Sequence, residues 1–437
     1  MNALIFGLGR SGSSVLRHLK KLGWTGVWYD DSAQPFGADL ATKLGFARLE
    51  QFDLSGIEVV IAAPGVMLRH PQLQAALAAG VPIWGEAELA WRTANFSSIG
   101  ITGTAGKGST TLLIAHLLRS QGLDAQVGGN FDPPLLEVLS AQVCVVELSS
   151  FQLERIHTYR PEVAVITNIG VDHVRDHGTL EAYQAAKWRI TQNQNAQDTL
   201  ILPESLPQAT TTKAKVQRVL EAGDIYAGES LLLSEKDLPH TIHPQNARAG
   251  VAAVAAYLAQ KQLEPNLDKM RQALLGFVGI PGRFETIATL QNTRFIEDSI
   301  ATRVLAVKAA LEHAPAPIAW LVGGRDKLTP EEHASELPKL EPFLGKVALL
   351  IAFGESGLEY AKALQHTGIR IADLSQENAQ TLMPKAVRLG FEAAKSGSVL
   401  LAPLGTSFDL FDNYKARGQA FREAVESLVQ EQKETYA

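Results

Sequence analysis

At 437 residues the chain is too long for one ordinary core, which implies two or three domains. With 46% hydrophobic and 20% charged residues it reads as a soluble globular protein, and a net charge of -6 argues against non-specific binding to nucleic acid or an anionic membrane surface. No apolar run is long enough for membrane insertion, the start Met1-Asn2-Ala3-Leu4-Ile5-Phe6 lacks the basic region of a signal peptide, and the single cysteine, Cys144, can form no internal disulfide; a reducing cytoplasm is expected.

Residues 3–7 predict a strand that runs into Gly7-Leu8-Gly9-Arg10-Ser11-Gly12, followed by a helix to about Leu22. A second strand, Gly26–Tyr29, ends in Asp30-Asp31. A G-x-G-x-x-G turn with an acidic residue at about this distance is the layout of a dinucleotide or nucleotide-sugar site. An NAD-binding Rossmann unit is the simplest functional reading, and a tight strand–helix turn without ligand the simplest structural one. Strands at Ile57–Ala63, ending in Pro64-Gly65, and at Val81–Trp84, leading into a helix near Gly85, close a small parallel sheet at about Trp91.

Asn95-Phe96-Ser97-Ser98 reads as a linker. After it comes a buried strand, Ile99–Thr102, then Gly103-Thr104-Ala105-Gly106-Lys107-Gly108-Ser109-Thr110-Thr111, then the apolar helix pattern Leu112–Leu118. Strand, glycine turn, lysine, hydroxyls and helix make a phosphate-binding loop: backbone N–H groups and the helix N-terminus face phosphate oxygens, and the lysine neutralises them. The strict pattern G-x-x-x-x-G-K-[ST] fails in the glycine spacing and at Gly108, so a glycine turn opening an ordinary helix is the alternative. Val143–Glu147 places a carboxylate at the C-terminal end of a buried strand, where ligands collect in such sheets; Glu147 is either a Mg²⁺ ligand or a solvated strand end. Val163–Asn168 leads to Asp172-His173, a metal ligand or a satisfied polar loop residue, and a helix carries Tyr183–Lys187. Short strands are expected in 199–240, an alanine-rich helix over Ala247–Lys261, and a boundary near Gly279–Glu285. Beyond it, strands at Phe295–Glu297, Ile318–Val322, Ala348–Phe353 and Val399–Ala402 alternate with helices at Val304–Glu312, Glu355–Leu364 and Ala379–Ser396, another mostly parallel sheet. The expected architecture is α/β in three domains: Rossmann-like over 1–92, a phosphate-loop ATPase type over 93–279, and Rossmann-like over 280–437.

Glu147-Leu148-Ser149-Ser150-Phe151-Gln152-Leu153, Thr167-Asn168, Asp172-His173, Gly282-Arg283-Phe284-Glu285, Asp298-Ser299-Ile300-Ala301-Thr302 and Gly323-Gly324-Arg325-Asp326-Lys327 follow one another in the chain, ahead of Ser407–Tyr414 and Arg417-Gly418. In this order they resemble the Mur ligase family, ATP-dependent amide-bond-forming enzymes of peptidoglycan synthesis, and the similarity spans the whole chain. The resemblance implies ATP and Mg²⁺ as cofactors and, as substrates, UDP-N-acetylmuramoyl-L-alanine and D-glutamate, joined through an acyl phosphate. By similarity Gly103, Thr104, Gly106, Lys107, Gly108, Ser109 and Thr110 hold the phosphates, Asn246 the adenine end, and Arg283 and Asp298 close the ATP site from the third domain. Glu147 and His173 become metal ligands, Ser109 or Thr110 the loop hydroxyl, and Lys187 a carbamylated lysine at the second metal. Ser11, Asp30 and Gly65 fall to the UDP-substrate, which replaces NAD in this reading, and Asn130, Ser149 and Gln152 to its muramoyl end. Thr302, Lys327, Ser407 and Tyr414 surround D-glutamate. A monomer is expected.

Five positions depart from the family pattern: Ala105, Gly108, Ala249, Ile300 and Arg303. Folylpolyglutamate synthase, a related ligase, lacks the first domain and so leaves Gly7–Gly12 unexplained. An NAD-dependent oxidoreductase fused to a nucleotide-binding module leaves Lys107, Glu147 and His173 unexplained. An ATP-binding regulator without catalysis is the third rival.

Overall fold

Short, almost wholly apolar strands alternate with helices through the computed structural model, which describes residues 1–208, 212–239, 241–279, 282–328 and 330–435. The first five strands, β1 (Asn2–Phe6), β2 (Thr25–Tyr29), β3 (Ala47–Arg48), β4 (Val59–Ala62) and β5 (Ile83–Trp84), form one parallel sheet in the order β3-β2-β1-β4-β5. A second parallel sheet has the order β11-β10-β9-β6-β8-β7. Its strands are β6 (Ser98–Thr102), β7 (Ala125–Gly129), β8 (Val143–Glu147), β9 (Val163–Ile166), β10 (Thr199–Pro203) and β11 (Lys215–Val219). Every residue of β6, β8 and β9 is buried, as a parallel sheet covered on both faces requires. The stretch 199–240 thus supplies the interior strand β10, the edge strand β11 and, beyond them, the hairpin β12 (Ile225–Ala227) and β13 (Ser230–Leu233).

Both sheets lie in one compact unit, Met1–Phe277. One apolar cluster runs from Ile5 and Trp84 of the first sheet and Leu16 of the helix Arg10–Lys21 to Cys144 of the second sheet and Leu136, Tyr159 and Trp188 of the segments packed on it. The expected linker is part of it: Phe96 is buried and meets Trp91 edge-on at 5.9 Å, and Ser98 already belongs to β6. The other face of the second sheet packs on the helices Lys107–Ser120 and Pro244–Gln260. The second of these starts three residues ahead of the expected alanine-rich stretch, because Pro244 suits the first helical turn and the His243 ring accepts the Gln245 N–H.

The second unit, Val278–Ala437, contains one six-stranded sheet, order β14-β15-β19-β16-β17-β18. Its strands are β14 (Glu285–Leu290), β15 (Thr293–Glu297), β16 (Ile318–Gly323), β17 (Val347–Phe353), β18 (Ile371–Leu374) and β19 (Ser398–Leu404). All neighbours are parallel except β14 and β15, a hairpin turned by Gln291 and Asn292, whose φ values of 47° and 66° match the handedness of such turns. No helix of the described residues is long and apolar enough to cross a membrane.

A buried carboxylate links the first two sheets. Glu88, on the helix Glu86–Thr93, is fully shielded from solvent and accepts the backbone N–H groups of His157, Thr158 and Tyr159, the Thr158 hydroxyl at 2.7 Å and Arg92 Nε at 2.6 Å. These donors hold its carboxyl below the usual range despite burial. Glu88→Ala, which strands all of them, is expected to cost on the order of 3 kcal/mol, read as a lower midpoint in denaturant; an unchanged midpoint would remove the clamp from the account.

Candidate active site

Thr102 ends β6, and the chain turns through Gly103–Gly106 into a helix that begins at Lys107, several residues before the apolar pattern of the sequence becomes visible. Gly106 makes this possible by capping the helix in the left-handed region, φ 80°. At Gly103, φ is 153°, and a Cβ would come within 2.0 Å of the Thr167 hydroxyl, so only glycine fits. The residues that follow β9 tie the loop down. Asn168 Oδ1 accepts the N–H groups of Thr104 (3.2 Å) and Ala105 (2.9 Å), while Asn168 Nδ2 and the Thr167 hydroxyl donate to the Ala105 carbonyl at 3.1 and 2.6 Å. The Thr104 hydroxyl accepts the Gly170 N–H and shares a 2.9 Å hydrogen bond with the Tyr183 hydroxyl.

Two lysines converge on this loop. Lys107 Nζ donates to the carbonyls of Gly103 (2.9 Å) and Thr104 (3.2 Å), and Lys187 Nζ donates to the same Gly103 carbonyl at 2.7 Å. Lys187 is 2% exposed and lies 4.6 Å above the Tyr183 ring. Burial, and then the neighbouring Lys107 ammonium, hold its amine well below the usual lysine range; Asp172 and Glu147 pull the other way.

Lys107 and Lys187 line a cavity of about 290 Å³ together with Tyr183, Asp172, His173 and Asn130. Ser149, Ser150 and Phe151 form another part of its wall, and Pro64 and Gly65, from the end of the first sheet, close it. Glu147 ends β8 almost buried and accepts Asn130 Nδ2 at 2.8 Å. His173, in the left-handed region at φ 52°, pairs with Asp176 at 2.9 Å and lies 3.6 Å from Asp172. Of the hydroxyls after Lys107, Ser109 is partly exposed, whereas the Thr110 hydroxyl is buried with no hydrogen-bond partner among the described residues. Asn246 packs on the loop: its Oδ1 lies 2.8 Å from the place of a Cβ on Gly106. Gly108 is buried in the first turn of the helix.

Ser149 and Gln152 form a capping box, with Gln152 Oε1 accepting the Ser149 N–H and hydroxyl. In the first sheet Asp30 accepts the N–H groups of Leu8 (2.7 Å) and Ser32 (2.8 Å), which fastens the glycine turn. The Ser11 hydroxyl donates to Glu86 at 2.9 Å. In the second unit the buried Asp298 carboxyl is pushed up to about 7 by desolvation, against the pull of Arg283 and the Phe284 N–H. There Lys327 Nζ donates to the Thr302 hydroxyl at 3.0 Å. Ser407, 3% exposed, directly follows the antiparallel bridge of Thr406 with Arg325, and Tyr414, 40% exposed, opens the helix Tyr414–Thr435.

Arg155 escaped the sequence reading. It is 1% exposed, and its guanidinium donates to the carbonyls of Ala63 (2.7 Å), Ala62 (3.4 Å) and Val66. It therefore holds the loop that presents Pro64 and Gly65 to the cavity. Thr167, Asn168 and Tyr183 were visible as parts of motifs, but their task of fixing the phosphate loop was not.

A glycine loop with one buried and one partly exposed lysine at the C-terminal edge of a parallel sheet, beside a strand-end carboxylate, defines an α/β enzyme that handles nucleoside triphosphates. Residues 101–226 match the Mur ligase middle domain and residues 1–85 the Mur ligase MurD-like N-terminal domain. The UDP-N-acetylmuramoylalanine–D-glutamate ligase of Thermus thermophilus is 45% identical over 431 residues, 97% of each chain. Its counterpart in Deinococcus radiodurans is also 45% identical, covering 98% of this chain and 92% of that one. The MurF ligase of Thermotoga maritima in complex with ADP shares the fold, with a TM-score of 0.58 and 16% identity over 93% of this chain and 95% of that one. The chain belongs to the Mur ligase family. It is an ATP-dependent amide-bond-forming ligase.

Glu86, two residues before the Glu88 clamp, is 2% exposed and accepts the Ser11 hydroxyl and the Leu136 N–H. Burial pushes its carboxyl up to about 7. An unfolded chain releases this proton near 4.5 while the folded one keeps it to about 7, so folding stability falls as pH rises between those values and levels off above them. Glu86→Gln is expected to flatten that part of the stability–pH curve. Parallel curves for the two proteins would assign the slope to other groups.

Proposed function

We propose that this protein acts in the cytoplasm as a monomer and joins D-glutamate to UDP-N-acetylmuramoyl-L-alanine with cleavage of ATP to ADP and phosphate, a step of peptidoglycan synthesis. The observation that carries the reading is the cavity in which Lys107 of the phosphate loop and Lys187 of the helix Leu180–Trp188 meet the Pro64–Gly65 loop that follows the first sheet's β4. A phosphate donor and the end of a nucleotide-sugar held by the first sheet would there come within reaction distance. The identity to D-glutamate ligases along nearly the whole chain supports the choice of substrates.

The chemistry has to bring one anion onto another. The substrate carboxylate attacks the γ-phosphorus of ATP, the bond to the β-bridging oxygen breaks, and an acyl phosphate and ADP result. The unprotonated D-glutamate amine then attacks the acyl carbon, the tetrahedral adduct gives up a nitrogen-bound proton to solvent and collapses, and phosphate leaves with the amide formed. Lys107, the N–H groups of the loop and the N-terminus of the Lys107–Ser120 helix offset the charge that opposes the first attack. Asn246, Arg283 and Asp298 belong to the ATP site in this reading. Ser11, Asp30 and Gly65 serve the UDP end, with Asn130, Ser149 and Gln152 toward the acyl group, and Thr302, Lys327, Ser407 and Tyr414 serve the incoming amino acid.

Among the described residues no three His, Cys, Asp or Glu side chains gather around one point, so the protein offers an incomplete set of donors. Such a set fits Mg²⁺, which keeps waters and takes phosphate oxygens alongside one or two protein ligands. Glu147, His173 and Ser109 are the residues that would hold it; when bound, it screens the charge of the terminal phosphates. Lys187 fits the role of a carbamate. Only an unprotonated amine adds CO₂, and the site disfavours its protonated form. The product is an anion beside Lys107, which turns a repulsion into an attraction.

Phosphate release measured with each amino acid in turn tests the reading: it is expected to require both the UDP-substrate and D-glutamate, with L-glutamate inactive, and equal turnover with another amino acid overturns it. Lys187→Ala is expected to lose most activity and to regain part of it with added acetate, which can fill the anionic position. Near-normal turnover of Lys187→Ala or Lys187→Arg without additive would exclude the carbamate.

A further inference from the structure

We propose that Asp326, His333 and Tyr360 act as a positioning device for Lys327 and through it set the affinity for the incoming amino acid. The inference rests on the assignment of Lys327 to the amino-acid site. Lys327 stands in the loop after β16, where its ammonium meets the Thr302 hydroxyl at 3.0 Å. A lysine stem has four rotatable carbons, so its ammonium is only as well placed as the backbone beneath it and the partner at its tip.

That backbone is held by its neighbour. Asp326 Oδ1 accepts the Leu328 N–H at 2.8 Å, an Asx-type turn that folds the chain around Lys327. The same oxygen accepts the Tyr360 hydroxyl at 2.7 Å, and Oδ2 pairs with His333 Nε2. The Asp326 N–H donates to the Ser356 hydroxyl at 3.1 Å. Three elements thus converge on one carboxylate: the loop itself, the helix Pro330–Glu336 through His333, and the helix Gly354–Leu364 through Tyr360, while Ser356 of that last helix holds the Asp326 backbone. Tyr360 is fully buried, and its ring stacks on His333 with centroids 5.7 Å apart. On the other side of the turn, Arg325 is fixed by its backbone bridge to Thr406 and by a two-pronged pair with Glu355 at 3.0 and 2.9 Å.

A carboxylate with this many donors is more than a loop residue needs for solubility, and none of the three side chains has a part in the chemistry described above. Their shared effect is to fix the Cα of Lys327. An amine nucleophile carrying two carboxylates binds through charge, and a displaced ammonium weakens that binding without altering the phosphate loop.

The test is steady-state kinetics of the full-length protein with saturating ATP and UDP-N-acetylmuramoyl-L-alanine. Tyr360→Phe, which removes one hydrogen bond and keeps the ring, is expected to raise the KM for D-glutamate by about threefold to tenfold. Asp326→Ala should raise it by more, and His333→Gln, which can still donate to Asp326, by less than His333→Ala. In each variant the KM for ATP should stay within about twofold of the parent, a split that a loosened fold does not produce. Equal rises for both substrates, or no rise in any of the variants, overturn the inference. Lys327→Ala is the control. If it leaves the D-glutamate KM unchanged, the assignment of the amino-acid site fails and the inference with it; if it raises that KM while Tyr360→Phe and Asp326→Ala do not, the positioning role alone is lost.

Discussion

The carbonyl of Gly103 carries two ammonium groups, and the rest of the site is arranged around that arrangement. A carbonyl oxygen has two lone pairs, so it can accept from Lys107 and Lys187 at once, but it bears no net charge to neutralise them. The N-terminus of the Lys107–Ser120 helix adds a further positive end to the same place. Two like charges and a helix N-terminus in a shielded pocket are mutually unfavourable, and two responses relieve them. Lys187 gives up its proton more readily, and a polyanion is drawn to the loop. Burial first, and the Lys107 ammonium second, thus lower the Lys187 amine, and an unprotonated amine is what the proposed carbamate requires. Thr167, Asn168 and Tyr183 keep the arrangement from relaxing by turning the loop away.

The helix Glu86–Thr93 shows how much a few donors decide. Glu86 and Glu88 are both nearly inaccessible, and desolvation alone would raise both carboxyls. Glu88 receives three backbone N–H groups, a hydroxyl and a guanidinium, and stays ionised below the usual range. Glu86 has the Ser11 hydroxyl and the N–H groups of Leu136 and Leu135, no guanidinium, and Glu137 nearby, and rises to about 7. Both reach from the first sheet to the second, Glu88 to the loop 157–159 and Glu86 to Leu136, so the wall that carries Pro64 and Gly65 is tied to the phosphate-loop sheet at separate points. Arg155 makes a third tie in the reverse direction.

Much of this was legible in the sequence, and the part that was not has a common cause. Buried parallel strands such as Val143–Glu147 and Ile318–Gly323 announce themselves as apolar runs, because both faces are covered. β14 has no such signature: it is an edge strand with a partly exposed pattern, paired through a turn whose residues, Gln291 and Asn292, are not the usual glycines. The residues of the phosphate loop were recognisable by type and spacing. Glu86, Glu88 and Arg155 were not, since what matters in each is a partner 50 to 93 residues away in the chain. Ser149 and Gln152 have a local partnership as well, and Ser149 also lines the cavity. Their spacing is that of a capping box, and the structure uses their polar atoms on one another.

The departures of this chain from its family become intelligible once the contacts are separated into backbone and side chain. Every tie at position 105 runs through its N–H, to Asn168 Oδ1, or its carbonyl, from Asn168 Nδ2 and the Thr167 hydroxyl. An alanine supplies both groups as well as an asparagine does, so the loop keeps its shape without that side chain. Gly108 moves the first hydroxyl one residue along the helix, which rotates it by about 100°. Ser109, partly exposed, is then the first hydroxyl after the lysine, whereas Thr110 is buried and its hydroxyl has no partner among the described residues. At the neighbouring helix Asn246 packs against Gly106, whereas Ala249, one turn further, belongs to the apolar cluster with Leu113 and Ile114. A polar side chain at 249 would enter that packing and would need a partner there. The substitutions at 105 and 249 thus fall where the structure asks for backbone groups or for small apolar volume, those at 300 and 303 have no such explanation, and the groups on which the charge argument depends, Gly103, Gly106, Lys107 and Lys187, are all retained.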